Sequence, residues 1–139
     1  MKLSGRHYAI IILTLITAFL HIAAALDKKL FAEGPDPIFI LNGLGYLGLL
    51  GAYFLPISFF QQRHELVRRS YILFAIVTIV AWLIIWVGFS VIRDGVPFFS
   101  HDSLYGVPAK ISELLLIWFL SQDKVTAEKK SAMQGTMGM

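Results

Sequence analysis

Apolar residues in this chain come in four long runs, set apart by short polar and basic stretches. The runs cover residues 8–26, 38–60, 70–92 and, less uniformly, 104–121. A helix rises ~1.5 Å per residue and a bilayer core is ~30 Å thick, so ~20 apolar residues cross it. The pattern predicts an all-α membrane protein, a four-transmembrane-helix bundle, as a single domain over residues 1–121. The run at 38–60 carries no charge and four glycines, and is the expected central helix.

Polarity within the runs is one-sided. In the first, Thr14, Thr17, Ala18, His21, Ala24 and Ala25 share a face at ~100° per residue. In lipid such a face turns inward, because polar groups need partners and small residues allow close approach. In the second run, Gly45, Gly48 and Ala52 form a predicted helix-packing face. Asn42, Tyr46, Leu49 and Tyr53 form an adjoining stripe toward the interior. In the third, Tyr71, Phe74, Thr78, Ala81, Trp82, Ile85 and Gly88 are expected inside. Trp82, Trp86 and Trp118 read as packing and interface anchors.

Between the runs, Gly34-Pro35-Asp36-Pro37 stops one helix and starts the next. Pro56 predicts a kink near the end of the second helix. Residues 61–69 read as a short basic loop. Residues 93–107 read as a longer loop whose Phe98, Phe99 and Tyr105 lie along the membrane surface or over the mouth of the bundle. Residues 122–139 read as a polar cytoplasmic tail, a fraying helix extension that becomes disordered.

The fourth run is short and carries Lys110 and Glu113. Charge decides whether it crosses. If it does, Lys2, Arg6, Arg63, Arg68, Arg69, Lys124, Lys129 and Lys130 share one side, against Lys28, Lys29, Arg93 and Lys110 on the other. The positive-inside rule then places both termini in the cytoplasm, N-in/C-in. Lys2 and Arg6 ahead of an apolar stretch, with Ala23-x-Ala25 after it, also fit a cleaved signal peptide; the length of the run and His21 inside it favour a retained helix.

Composition sharpens this picture. The 139 residues are 57% hydrophobic and 15% charged, against about a quarter charged in a soluble domain. Net charge is +3, with the basic residues clustered between apolar runs, which suits anionic lipid headgroups and not nucleic acid. The absence of cysteine excludes disulfides, thiolate ligands and palmitoylation. Gly43 to Gly48 matches G-x-G-x-x-G, but inside an uninterrupted apolar run with no strand before it, so no dinucleotide site is expected.

The candidate chemistry lies in the polar groups inside the runs. His21, Asn42, Tyr46, Lys110 and Glu113 fall toward the non-cytoplasmic side, with His101 and Asp102 in the loop above. They are expected to line an outward-opening pocket for a quinone headgroup, a lipid headgroup or a proton path. The plainer expectation is an i, i+3 ion pair that lets the fourth helix cross, with His21 and Asn42 bonded to their neighbours. A haem would need His21 with His101, and no metal-ligand spacing is diagnostic, so no cofactor and no metal are predicted. There is no serine-hydrolase signature, P-loop or HExxH, and no enzyme is expected.

The leading functional expectation is a non-enzymatic cell-membrane protein that associates with copies of itself (a homo-oligomer) or with other membrane subunits through its glycine face. The alternatives are a small oligomeric transporter or channel using Glu113 and Lys110, and a quinone- or haem-binding redox subunit using His21. The His near the end of the first helix, the N-G-L-G-Y-L-G run from Asn42, the basic second turn, and a fourth helix with Lys110 and a polar residue three later resemble a family of small four-helix membrane proteins of archaea and bacteria. The resemblance covers roughly residues 8 to 121. It implies the architecture and adds no chemistry, since that family has no assigned activity; it also leads one to expect an amide where this chain has Glu113.

Overall fold

The computed structural model describes residues 3–100 and 103–137, and over 124–137 the backbone alone. Among these residues every regular element is helical. Helix α1 spans Gly5–Leu26. The Ser4 N–H donates to His7 Nδ1 (3.1 Å) at its start. At its end Asp27 accepts from the Lys29 amide (2.8 Å) and from the Tyr105 hydroxyl (2.8 Å), which ties the loop to a distant helix. Gly34, at φ +133°, adopts a backbone that L side chains avoid.

Helix α2 spans Pro37–Phe54. Asp36 caps it, accepting from the amides of Ile38 (2.9 Å) and Phe39 (3.0 Å), and Pro37 occupies the first turn, where its missing N–H costs nothing. The helix stops well short of residue 60, where the apolar run ends. Pro56 has no N–H to donate and forces Leu55 into extended backbone (ψ 141°). Beyond it the chain forms a separate short helix, α3, Ser58–Gln62. The single central helix expected over 38–60 is thus two helices, with a break where a kink was expected.

Helix α4 spans His64–Arg93 and begins inside the stretch expected to be a basic loop. Its charges pair along the helix. Arg68 Nε and Nη2 donate to Glu65 (2.8 and 2.6 Å), and Arg69 Nε also donates to Glu65 (2.8 Å). Arg68 Nη1 reaches the Leu120 carbonyl (3.2 Å), so this guanidinium is buried yet satisfied. From Leu83 to Arg93 the helix is π-wound, and none of those residues is fully buried.

Helix α5 spans Ser103–Met137. Its apolar part starts within one residue of the expected position, but it continues to Met137 where disorder was expected. Ala, Glu, Lys, Met and Gln dominate that extension and all favour helix; Pro is absent from it. Lys2, His101 and Asp102 lie outside the described residues, as do the side chains of Lys124, Lys129 and Lys130.

The long helices form a closed ring. α1 packs on α2 and α5, and α4 packs on the same two, so α1 faces α4 and α2 faces α5 across the centre. Between them lie Ile10, Ala18, Tyr46, Tyr53, Val67, Tyr71, Ala75, Leu116 and Leu120. At the loop end α1 and α4 finish and α2 and α5 begin; the chain's first helical residues lie at the opposite, terminal end. Outward positions are apolar: Phe19 is 69% exposed, Ile38 73% and Ile92 76%. Gly5–Leu26, Pro37–Phe54, His64–Arg93 and Ser103–Asp123 are each long and apolar enough to cross a membrane.

The glycines of α2 divide by contact. A Cβ at Gly43 would stand 2.7 Å from Ile22 Cγ1 and 3.0 Å from the Ala18 carbonyl oxygen, so this is where α1 and α2 touch. At Gly45 it would meet Phe74 Cζ at 2.6 Å. At Gly48 it would meet nothing within 4 Å, and Ala52 is half-buried against the core. Of the face expected from spacing, Gly45 thus packs against Phe74 of α4, while Gly48 meets no helix within this chain. Gly43, outside that face, does.

Candidate functional site

Two polar clusters and a cavity occupy the interior of the ring. The first cluster centres on Glu113, which is 0% exposed. Its Oε2 accepts from Lys110 Nζ (2.7 Å) and its Oε1 from the Tyr46 hydroxyl (2.9 Å). His21 Nε2 stands 3.6 Å from Oε1. His21 Nδ1 lies 2.8 Å from the Thr17 carbonyl oxygen, which can only accept, so Nδ1 carries the proton and the Nε2 lone pair faces the carboxylate. Three helices thus meet on one acid, α1 through His21, α2 through Tyr46 and α5 through Lys110.

Lys110 and Glu113 are one helical turn apart, which brings the ammonium onto the carboxylate along the same face. Neither charge faces the surface. In a medium of low dielectric an unpaired charge is costly, and pairing with a further hydroxyl donor offsets that cost.

Above this cluster, toward the loop end, lies a cavity of about 370 Å³, within the size range of small-molecule sites. His21, Asn42 and Lys110 provide its polar lining, and Phe31, Phe39, Trp82, Trp86 and Tyr105 its aromatic walls. The cavity exists because the π-wound Leu83–Arg93 backbone packs on no other long helix among the described residues. Trp82 is held at the wall by Gly106: a Cβ there would stand 2.6 Å from the indole Nε1. Phe98 leans edge-on against Trp82 with ring centroids 6.2 Å apart, so the loop folds toward the mouth at this point, while Phe99 stays exposed.

Two buried polar atoms on cavity-lining residues lack a partner among the described residues. Asn42 Nδ2 donates to Thr78 Oγ1 (3.0 Å), but Asn42 Oδ1 accepts nothing. Trp86 Nε1 donates to nothing. Buried polar atoms are nearly always bonded, and an exception marks a place for a ligand or a water.

Of the five residues expected to line the pocket, His21, Asn42 and Lys110 do so. Tyr46 and Glu113 stand behind them, bonded to each other. Asn42 turns to α4. Thr78, Ala81, Trp82 and Ile85, expected on the inward face of the third run, line the cavity; Trp86, off that face, joins them.

The second cluster lies at the terminal end, on Asp123. Its carboxylate accepts from the Tyr53 hydroxyl. His7 Nε2 lies 3.4 Å and Arg6 Nη1 3.6 Å from Oδ1, and His64 Nε2 lies 4.0 Å from Oδ2. His7 Nδ1 accepts from the Ser4 amide, which leaves Nε2 to donate toward Asp123. Sequence reasoning missed this cluster by assigning Asp123 to the tail. The signal was its spacing, three residues after Leu120 and seven after Leu116, both buried on the same helix.

Between the clusters Thr14 and Tyr71 are hydrogen-bonded across the centre, from α1 to α4. Thr14 Oγ1 gives its proton to the Ile10 carbonyl (2.7 Å), so Tyr71 is the donor to Thr14. Among the described residues no three His, Asp or Glu side chains are placed to hold a metal ion. Compared with protein-family models, curated proteins and solved structures, the chain matches none.

Proposed function

We propose that this chain is an integral membrane protein, a four-helix transmembrane bundle with both termini cytoplasmic, that holds a small lipid-soluble molecule in the loop-end cavity. The outward apolar faces and the inward polar ones support membrane insertion. Arg6, Arg63, Arg68 and Arg69 gather at the terminal end, as the positive-inside rule asks of a cytoplasmic face. The observation that carries the binding reading is the cavity itself: it is walled by aromatic rings, floored by Lys110 and His21, and supplied with an unused acceptor on Asn42 and an unused donor on Trp86. Ionisable groups inside apolar spans are costly and are kept where they face a cavity or one another; here they do both. The floor is charge-balanced, since Lys110 is paired with Glu113, and so suits an uncharged ligand offering both a donor and an acceptor.

Ala81→Phe fills the cavity without touching its polar floor. Organic extracts of detergent-purified wild type should yield a stoichiometric small molecule by mass spectrometry, and the variant about tenfold less at an unchanged melting temperature. Equal recovery from both, or none from wild type, rejects the reading.

A second reading, self-association or assembly with other membrane subunits, is favoured by Gly48, whose outward side is open. Gly48→Leu should leave the melting temperature of the monomer nearly unchanged and reduce crosslinked dimer; unchanged crosslinking counts against it.

A further inference from the structure

The two polar clusters are the ends of one column. Along the centre of the ring, in order from the loop end, stand His21 with Lys110, Glu113 with Tyr46, then Thr17, then Thr14 with Tyr71, then Tyr53 with Asp123. Glu113, Tyr46, Thr17, Thr14 and Tyr71 are 0% exposed and Tyr53 is 3% exposed. Three separate bonds among them cross the ring by its diagonals: α2 to α5 at Tyr46–Glu113, α1 to α4 at Thr14–Tyr71, and α2 to α5 again at Tyr53–Asp123. The hydroxyls therefore lie on the axis of the ring and not at pairwise helix seams.

Packing alone does not require this arrangement. Phenylalanine would fill the space of Tyr46, Tyr53 and Tyr71, and an interhelical hydrogen bond in a membrane adds little stability on average. Nor does packing explain Thr17. Its Oγ1 is buried without a partner among the described residues, four residues before His21 and three after Thr14 on one helical face. A buried hydroxyl without a protein partner is where a bridging water would bind, and a water there would join the upper part of the column to the lower. Both ends finish in groups that take up and return protons: His21, which lines the cavity with Nε2 toward Glu113, and Asp123 with His7 and His64 at the terminal end.

We propose that this column conducts protons between the two faces of the bundle. A proton taken from the cavity by His21 Nε2 passes to Glu113 Oε1. It moves on through the Tyr46 hydroxyl, a water bridging at Thr17, and Tyr71 with Thr14; the Tyr71 hydroxyl then turns from Thr14 toward Tyr53, whose ring centroid lies 6.1 Å from that of Tyr71, each oxygen accepting one proton as it releases another. Asp123 and its imidazoles release it at the terminal end. No electron moves and no bond to carbon changes; the hydroxyls rotate back to reset the chain. Lys110 holds the Glu113 charge, so the upper site takes one extra proton. The groups facing Glu113 are His21 from α1, Tyr46 from α2 and Lys110 from its own helix; among the described residues, α4 places no charged group on it.

The test uses the full chain in phosphatidylcholine vesicles with a minor share of phosphatidylglycerol. The vesicles contain a pH-sensitive dye and carry a valinomycin-imposed potassium potential. Wild type should move protons about tenfold faster than protein-free vesicles. Tyr71→Phe and Tyr53→Phe keep ring, volume and charge, and each should cut the rate about tenfold at an unchanged melting temperature. The double variant Lys110→Met with Glu113→Leu, which leaves no charge stranded, should reduce it to the protein-free rate. A wild-type rate equal to that of empty vesicles, or full rate in both tyrosine variants, overturns the proposal.

Discussion

Lys110→Met is expected to destabilise the protein by about 3–5 kcal/mol, the cost of leaving one member of a buried ion pair without its partner. The variant strands the Glu113 carboxylate, 0% exposed, with a tyrosine hydroxyl at 2.9 Å and an imidazole at 3.6 Å. Methionine fills much the same volume, so the loss is electrostatic. Adding Glu113→Leu should then restore stability to the wild-type level or above, because an apolar pair of similar volume pays no desolvation. Thermal unfolding in one detergent, followed by near-ultraviolet circular dichroism, reads all four corners of the cycle. If the two losses simply add, the residues are not coupled and the cluster is misdescribed.

Gly43→Ala is expected to cost about 1–3 kcal/mol, the range for overpacking a tight contact. The added methyl would meet the Ala18 carbonyl oxygen at 3.0 Å, and that oxygen belongs to the α1 backbone and cannot rotate away. The same change at Gly48, five residues on, should instead stabilise by up to about 1 kcal/mol, since alanine is the better helix former and its methyl meets nothing. Two chemically identical substitutions on one helix with opposite signs would establish which side of α2 touches α1. Equal effects at both positions would refute the assigned rotation of α2.

That pair of glycines also marks where sequence stops informing. The inward face of α1 is legible because Thr14, Thr17, Ala18, His21, Ala24 and Ala25 are small or polar at helical spacing, and all six are buried. The interior stripe of α2 is legible for the same reason, with Tyr46 and Tyr53 buried and Asn42 beside the cavity. Which glycine meets a neighbour depends on the rotation and tilt of α1, which no local pattern encodes. The break at Pro56 is written in the chain, but apolarity on both sides of it disguises two helices as one. Arg68 and Asp123 mislead because charge reads as the end of a helix, whereas a helix overruns its apolar stretch when its charges find partners. The π winding of Leu83–Arg93 has no compositional mark, and with it the presence of Trp86 in the cavity wall escapes a reading by period.

The diagonal bonds have a mechanical consequence. Tyr46 and Tyr53 tether α2 to α5 at two heights, and Arg68 pins the Leu120 carbonyl from α4. Sliding α5 past α2 by one turn, about 5.4 Å, would rupture both tethers at once, so piston-like shear is closed to this protein. Among the described residues, the π-wound wall at the end of α4 bears no such interhelical hydrogen bond. The end of α4 beyond Trp82 is therefore the part of the frame with the fewest restraints against outward displacement among the described residues.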